Sequence, residues 1–372
     1  MFRLRCYNSK CRLIKEFISW RWINIGTITT QLIIIAIITV LILCFIFITG
    51  KKEKIEAIKS SYVLGTLINL KAIGNQAEKA VNEAIDRLND IDDKMSAFKQ
   101  GSDISRVNSK AGFAIETVSK DTYFVVKKAV EYSKILEGTF DPTIRPLVKL
   151  WNIGADQEVI PPKEQIEETL KLVNCEDVIL DEGNFTIMLR NKNQALDVGG
   201  IAKGFAADVV RDIFKKYSIK SGLIDLGGNI FALGGKEDGS PWRVGIQNPF
   251  KSRGEYIGVL SVKDKSIVTS GNYERYFMKD GQRIHHILDP KTGYPSKSKI
   301  ISATIISDNS IDGDGLSTGI YILGVEKALK IIEGIEGIEA IFVTEDKEVY
   351  TTSGIDKSIF TLTDEEFKSV KN

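Results

Sequence analysis

Histidine is almost missing from this chain: two occur in 372 residues, His285 and His286, and they are adjacent. Any step that needs a side chain titrating near neutrality therefore has one short stretch to draw on. Cysteine is nearly as scarce. Cys6, Cys11 and Cys44 lie in the first 50 residues and leave Cys175 alone in the rest, which excludes an internal disulfide there. A domain of about 310 residues can bury enough core to stand without staples, so Cys175 reads as a packing residue. A surplus of basic charge is missing too. The totals are 50 Lys+Arg against 49 Asp+Glu, and without the first 50 residues, which hold six basic and one acidic, 44 face 48, a net charge of −4. That balance argues against a nucleic-acid partner. There is no low-complexity tract, no internal repeat, and no Walker A loop, GxGxxG fingerprint or EF-hand.

The first abundant feature is apolar. No charge occurs between Arg21 and Lys51, and from Leu32 to Ile48 the only polar residue is Thr39. With its flanks this run matches the roughly 20 residues of a membrane-spanning helix. Ahead of it stand Arg3, Arg5, Lys10, Arg12, Lys15 and Arg21 against Glu16, whereas behind it Lys51, Lys52 and Lys54 are partly offset by Glu53 and Glu56. The positive-inside rule then keeps the N-terminus in the cytoplasm and puts the rest outside. A cleaved signal peptide lacks a clean small-x-small site here, and lipoprotein processing at Cys44 would need a small residue where Leu43 stands. The expected organisation is a basic cytoplasmic N-terminus (1–27), a transmembrane signal anchor (28–49), a linker (50–61) and one extracytoplasmic domain (62–372), single-pass at the cell membrane.

Periodicity within that domain predicts mixed α and β. Residues 76–95 carry Ala77, Ala80, Val81, Ala84, Leu88 and Ile91 at helical spacing. Ser119 can cap a second helix over 120–136, and a short third one follows Pro161-Pro162. Residues 178–180 and 185–189 flank a turn and predict a hairpin. Strand-like runs follow at 223–226, 242–246, 256–262, 284–288, 300–306 and 340–344. Helices and hairpins are interspersed and do not alternate strictly, so an α+β fold is expected.

Besides the glycine turn Asp225-Leu226-Gly227-Gly228-Asn229 after a strand, five stretches combine glycine, acid and hydroxyl residues in ways a plain core does not need. The histidine stretch, 283–295, continues into Leu288, Asp289 and the turn Pro290-Lys291-Thr292-Gly293. In a strand the two histidines would point to opposite faces, so at most one serves a site. Gly138-Thr139-Phe140-Asp141 runs out of a helix into a turn that is equally well a plain helix stop. Glycines in Asp197-Val198-Gly199-Gly200-Ile201-Ala202-Lys203-Gly204 open a helix whose free N–H groups suit phosphate, although such glycines are common before helices. Thr269-Ser270-Gly271-Asn272 precedes the histidines. Asp314 and Thr318, four apart, share a helix face and could ligate a hard cation or be a cap and a solvated hydroxyl.

In order and wording these stretches, with Met95-Ser96-Ala97-Phe98, Asp103 to Asn108 and Pro146 to Trp151, resemble the ApbE family of flavin transferases, over roughly 62–352. The resemblance implies an enzyme moving FMN from FAD onto a threonine or serine of an exported target protein, of the kind found in membrane redox complexes, with release of AMP. It implies Mg²⁺ on the Gly200 carbonyl, Asp314 and Thr318, with Ser317 where other members have an acid. It also implies FAD lined by Leu64, Phe98, Thr139, Phe140, Asp141, Asp197, Lys203 and Leu288, His286 as general base, and Asp289 or its turn as the group that positions it. His285 is the expected bystander. Two other readings of the same residues are a Mg²⁺-dependent FAD pyrophosphatase, with water as acceptor, and a membrane-tethered flavin carrier without catalysis. A carrier would not need the base.

Overall fold

The structure is a computed structural model that describes residues 30–43, 55–154 and 159–370. The chain divides into two units, Met1–Lys54 and Ile55–Asn372. In the first, residues 30–43 are helical with exposed apolar side chains. At 1.5 Å per residue such a stretch spans roughly 21 Å, short of the roughly 30 Å of a bilayer core. Among the described residues no helix is long and apolar enough to cross a membrane. The rest of the expected anchor and the basic N-terminus lie outside the described residues.

The second unit is built on a nine-stranded sheet. Its spatial order is Glu56–Val63, Thr66–Ile73, Ser221–Asp225, Asn229–Gly234, Lys265–Gly271, Ile300–Ser307, Glu339–Thr344, Glu348–Thr351 and Lys368–Val370. All neighbours are antiparallel except the last pair. The expected linker is corrected here: from Glu56 onward it is the edge strand of this sheet.

Side chains alternate between the two faces of a strand, and in the middle of this sheet both faces are buried. Phe231, Leu233, Ala303, Ile305, Ala340 and Phe342 enter one core with the helices Ala77–Met95, Lys120–Ile135, Ala202–Lys216 and Ser310–Leu323. Ala232, Ile306, Ile341 and Val343 face a second core, shared with the three-stranded sheet Phe360–Leu362, Tyr256–Val262 and Trp242–Gln247. Ile300–Ser307, buried at every position, is apolar on both faces for that reason. The α+β expectation holds. A small third sheet contains the expected hairpin, Val178–Asp181 with Thr186–Leu189. A two-stranded ribbon, Tyr276–Lys279 with Gln282–His285, ends in His285 and leads straight into His286; the strand expected over 284–288 ends at His285.

Candidate functional site

The helix Ser310–Leu323 is the scaffold of the site. It is buried nearly all round and holds Gly313, Gly315 and Gly319. A Cβ on Gly315 would stand 2.6 Å from the Tyr132 ring and one on Gly319 2.6 Å from Leu136 Cδ1. These glycines trade helix propensity for close approach to the helix Lys120–Ile135. Asp314 and Thr318 share one face of it. Asp314, 4% exposed, accepts a hydrogen bond from the Gly204 N–H at 2.9 Å and has the Lys203 ammonium 3.6 Å from its other oxygen. Thr318 Oγ1 is 3.3 Å from Ser270 Oγ, which also lies 2.8 Å from Ser317 Oγ. Gly200 adjoins them: a Cβ there would be 3.9 Å from Thr318 Oγ1 and 3.0 Å from the Phe140 ring. Gly200, Asp314 and Thr318 are thus brought together, and Ser270, from the stretch 269–272, is a neighbour to which the sequence reading gave no role.

The donor set is a carbonyl, a carboxylate and hydroxyls, all hard oxygens of the type that Mg²⁺ takes. Only one acid contributes. Among the described residues no group of three or more His, Cys, Asp or Glu side chains is gathered for a metal. Lys203 also donates to the Gly199 carbonyl at 2.9 Å, so its charge lies along the glycine turn that leads into the helix Ala202–Lys216.

The two histidines differ in what binds them. His285 is buried; Nε2 lies 3.0 Å from the Ser296 carbonyl and Nδ1 accepts from Ile287 N–H at 3.3 Å, so both nitrogens are engaged. His286, half-buried, has Nδ1 3.1 Å from the Arg275 carbonyl. A carbonyl only accepts, so the proton sits on Nδ1 and the lone pair on Nε2. Burial, with the nearby positive charges of Arg275 and Lys203, pushes the pKa of His286 down to about 3.

Asp289 does not bond to either ring: Oδ1 accepts from Lys291 N–H at 2.9 Å, and its carbonyl accepts from Gly293 N–H at 2.8 Å. Its role is to shape the turn that follows the histidines. Leu288 is buried beneath that turn with Leu147, Trp151 and Ile166.

The remaining expected residues fall into two groups. Thr139, Phe140 and Asp141 are buried in their turn. Thr139 Oγ1 lies 3.0 Å from the Gly319 carbonyl, tying the turn to the scaffold helix. Asp141 accepts from Thr143 N–H at 2.7 Å and Cys175 N–H at 3.0 Å; burial raises its pKa despite those bonds. Phe98, by contrast, is 77% exposed, with the Arg145 guanidinium stacked 3.9 Å from its ring centroid. Arg145 also reaches Asp197 Oδ2 at 3.4 Å. Arg145 went unnamed from sequence because its partners are distant along the chain. Leu64 sits in the two-residue turn between the first two strands with φ 54°, a left-handed conformation uncommon for a branched side chain.

Residues 64–342 match the model of the ApbE family. The chain is 36% identical over 294 residues to the FAD:protein FMN transferase of Klebsiella pneumoniae (strain 342), covering 79% of this chain and 91% of that one. It is 34% identical over 336 residues to the FAD:protein FMN transferase of Treponema pallidum (strain Nichols), covering 86% and 93%. Among solved structures it is similar to the flavin transferase ApbE from Vibrio cholerae, with a TM-score of 0.73 at 29% identity over 81% of this chain and 98% of that one. The ApbE protein of Thermotoga maritima superposes with a TM-score of 0.74 at 28% identity, over 80% and 97%.

Proposed function

The chain belongs to the ApbE family, and from that premise we propose that it is a transferase moving FMN from FAD to a Thr or Ser hydroxyl of an exported protein. The observation that carries the reading is the state of His286: a neutral imidazole with Nδ1 held by the Arg275 carbonyl and Nε2 left to take a proton. The acceptor oxygen attacks the FMN phosphorus as Nε2 removes its proton. A phosphoester bond forms, the bond to the AMP phosphate breaks, and AMP leaves. Gly200, Asp314 and Thr318 would hold Mg²⁺, which when bound neutralises charge on the pyrophosphate. Lys203, beside Asp314, adds a fixed positive charge to the same end of the site. Phe98 offers an exposed aromatic face to a flavin or adenine ring.

We also propose that residues 28–49 anchor the enzyme and that the catalytic unit lies outside the cytoplasm. The charge-free apolar run and its basic N-terminal flank support this. The intact chain should then sediment with the membrane fraction, and protease added to intact spheroplasts should digest its 55–372 unit; protection from protease would overturn the orientation.

The function is tested by incubating the purified chain with FAD, Mg²⁺ and candidate exported proteins, then weighing the proteins by mass spectrometry. One FMN added to a Thr or Ser, lost in Asp314→Ala and on chelation of divalent metal, is the expected result. Free FMN and AMP formed at full rate without any acceptor protein would instead make the enzyme a pyrophosphatase. Bound FAD with no turnover under any condition would make it a carrier.

A further inference from the structure

The helices Ala202–Lys216 and Ser310–Leu323 both begin without a side-chain cap of their own. The first N–H groups of a helix have no partner inside it and need one from elsewhere. Here each helix is capped by the other. Asp208, one turn beyond Gly204, accepts from Ser310 N–H at 2.8 Å with Oδ1 and from Ile311 N–H at 2.9 Å with Oδ2. Asp314, one turn beyond Ser310, accepts from Gly204 N–H at 2.9 Å. The exchange requires the helices to cross almost in contact. A Cβ on Gly204 would stand 2.7 Å from both Asp314 Cβ and Ile311 Cα, so only glycine fits.

Asp208 is itself fixed. It is 8% exposed, and Arg211 pairs with its Oδ1 at 2.8 Å while donating to Asn309 Oδ1 at 3.1 Å in the approach to the second helix. Ser310 adds a hydroxyl bond to Asn229 Oδ1 at 2.6 Å. The start of the helix that carries Asp314 and Thr318 is thus held by Asp208, by Arg211 through Asn309 and by Asn229, and within the helix that follows Gly200 it is Asp208 that accepts from its first two N–H groups. We propose that Asp208 is a positioning residue of the transfer site: by capping Ser310 and Ile311 from the neighbouring helix it sets where Asp314 and Thr318 stand relative to the Gly200 carbonyl. This rests on the reading of those three groups as metal ligands. Burial raises the pKa of Asp208, and the two N–H groups and Arg211 oppose that shift.

The test compares the full-length wild type, Asp208→Asn, Asp208→Ala and Asp314→Ala. Asparagine keeps the shape of Asp208 but can cap only one of the two N–H groups and loses the pairing with Arg211. FAD binding, followed by flavin fluorescence, is titrated with MgCl₂, and hydrogen exchange of the segments 202–208 and 310–316 is measured by mass spectrometry. The half-saturating Mg²⁺ should rise about tenfold to a hundredfold in Asp208→Ala, the range typical for groups that orient a metal ligand, and by less in Asp208→Asn. A lower melting temperature with an unchanged Mg²⁺ titration in both variants would reduce Asp208 to a structural cap and overturn the proposal. If Asp208→Ala does not fold, Asp208→Asn decides alone: a shifted titration supports the proposal and a wild-type one overturns it. Wild-type FAD binding that ignores Mg²⁺ would overturn the metal reading instead. Exchange then decides for Asp208: faster exchange at 202–208 in Asp208→Asn supports its control of the Asp314–Gly204 contact, and unchanged exchange overturns it.

Discussion

At the scale of the residue, the two neighbouring imidazoles have been given different work by their backbone partners. His285 has both nitrogens engaged, whereas His286 is bonded through Nδ1, which leaves Nε2 for the proposed proton transfer. Replacing His286 by alanine should lower kcat for transfer about a hundredfold to ten-thousandfold, the usual worth of a general base. FAD affinity should change little, and a mass-spectrometric rate assay with a separate binding titration measures both. A pH consequence follows from the pKa near 3 in the folded protein against roughly 6.5 for a free imidazole. A depressed pKa keeps the base form throughout the neutral range, so kcat/KM should show no acid limb at 6.5. The same group contributes stability that is complete above the free value and is lost as pH falls towards 3. An acid limb with its midpoint near 6.5 would contradict this assignment. Leu64 offers a second residue-level test. At φ 54° a glycine is at ease where leucine is not, so Leu64→Gly should relieve strain of about 1 kcal/mol while weakening FAD binding if the leucine lines the flavin. Chemical denaturation and the KM for FAD report the two effects separately.

At the scale of the element, the parts most readable from sequence are those whose burial follows a simple period. The helix Ala77–Met95 carries its apolar stripe openly, and Ile300–Ser307 places isoleucines on both faces, with Ser302, Thr304 and Ser307 among them, because both its faces are covered. The strand Lys265–Gly271 was missed because Ser266, Thr269 and Ser270 interrupt the pattern; those hydroxyls bond Ser310, Thr304 and Ser317 inside the structure. The scaffold helix Ser310–Leu323 is the harder case. The spacing of Asp314 and Thr318 suits a helix, but its three glycines are poor helix formers that only tertiary contacts explain. Pairings such as Arg145 with Phe98 and Asp197, or Asp208 with Ser310, join residues far apart along the chain and leave no local periodic signal. The glycine argument predicts that Gly315→Ala, whose Cβ would press on Tyr132, costs about 1–3 kcal/mol by overpacking, measured as a shift in the denaturation midpoint.

For the whole molecule, the helical segment 30–43 and the sheet-based unit are separate compact units. Removing residues 1–54 should therefore leave the melting temperature of the remainder within about 2 °C of the full chain, a change of under 1 kcal/mol. The truncated enzyme should transfer FMN to a purified acceptor at the same kcat. A fall of 10 °C or more would mean that the first unit contributes to the fold of the second. The sheet itself places the proposed chemistry at several ends at once: Ser270 comes from one of its strands, Asp314 from a helix packed on it, and His286 from the residue that follows the ribbon outside it. No single segment of the sequence contains the site, which is why scattered motifs pointed to it and a count of acids in any one stretch did not.

The carbonyl that holds His286 belongs to the backbone of Arg275, so no side-chain substitution removes it. An enzyme carrying His286→Gly would keep the acceptor that orients the ring while losing the ring itself. Free imidazole diffusing into that vacancy would meet a partner already in place for its N–H. Added imidazole should then restore part of the transfer rate to the glycine variant, and N-methylimidazole, which has no N–H to offer, should restore much less.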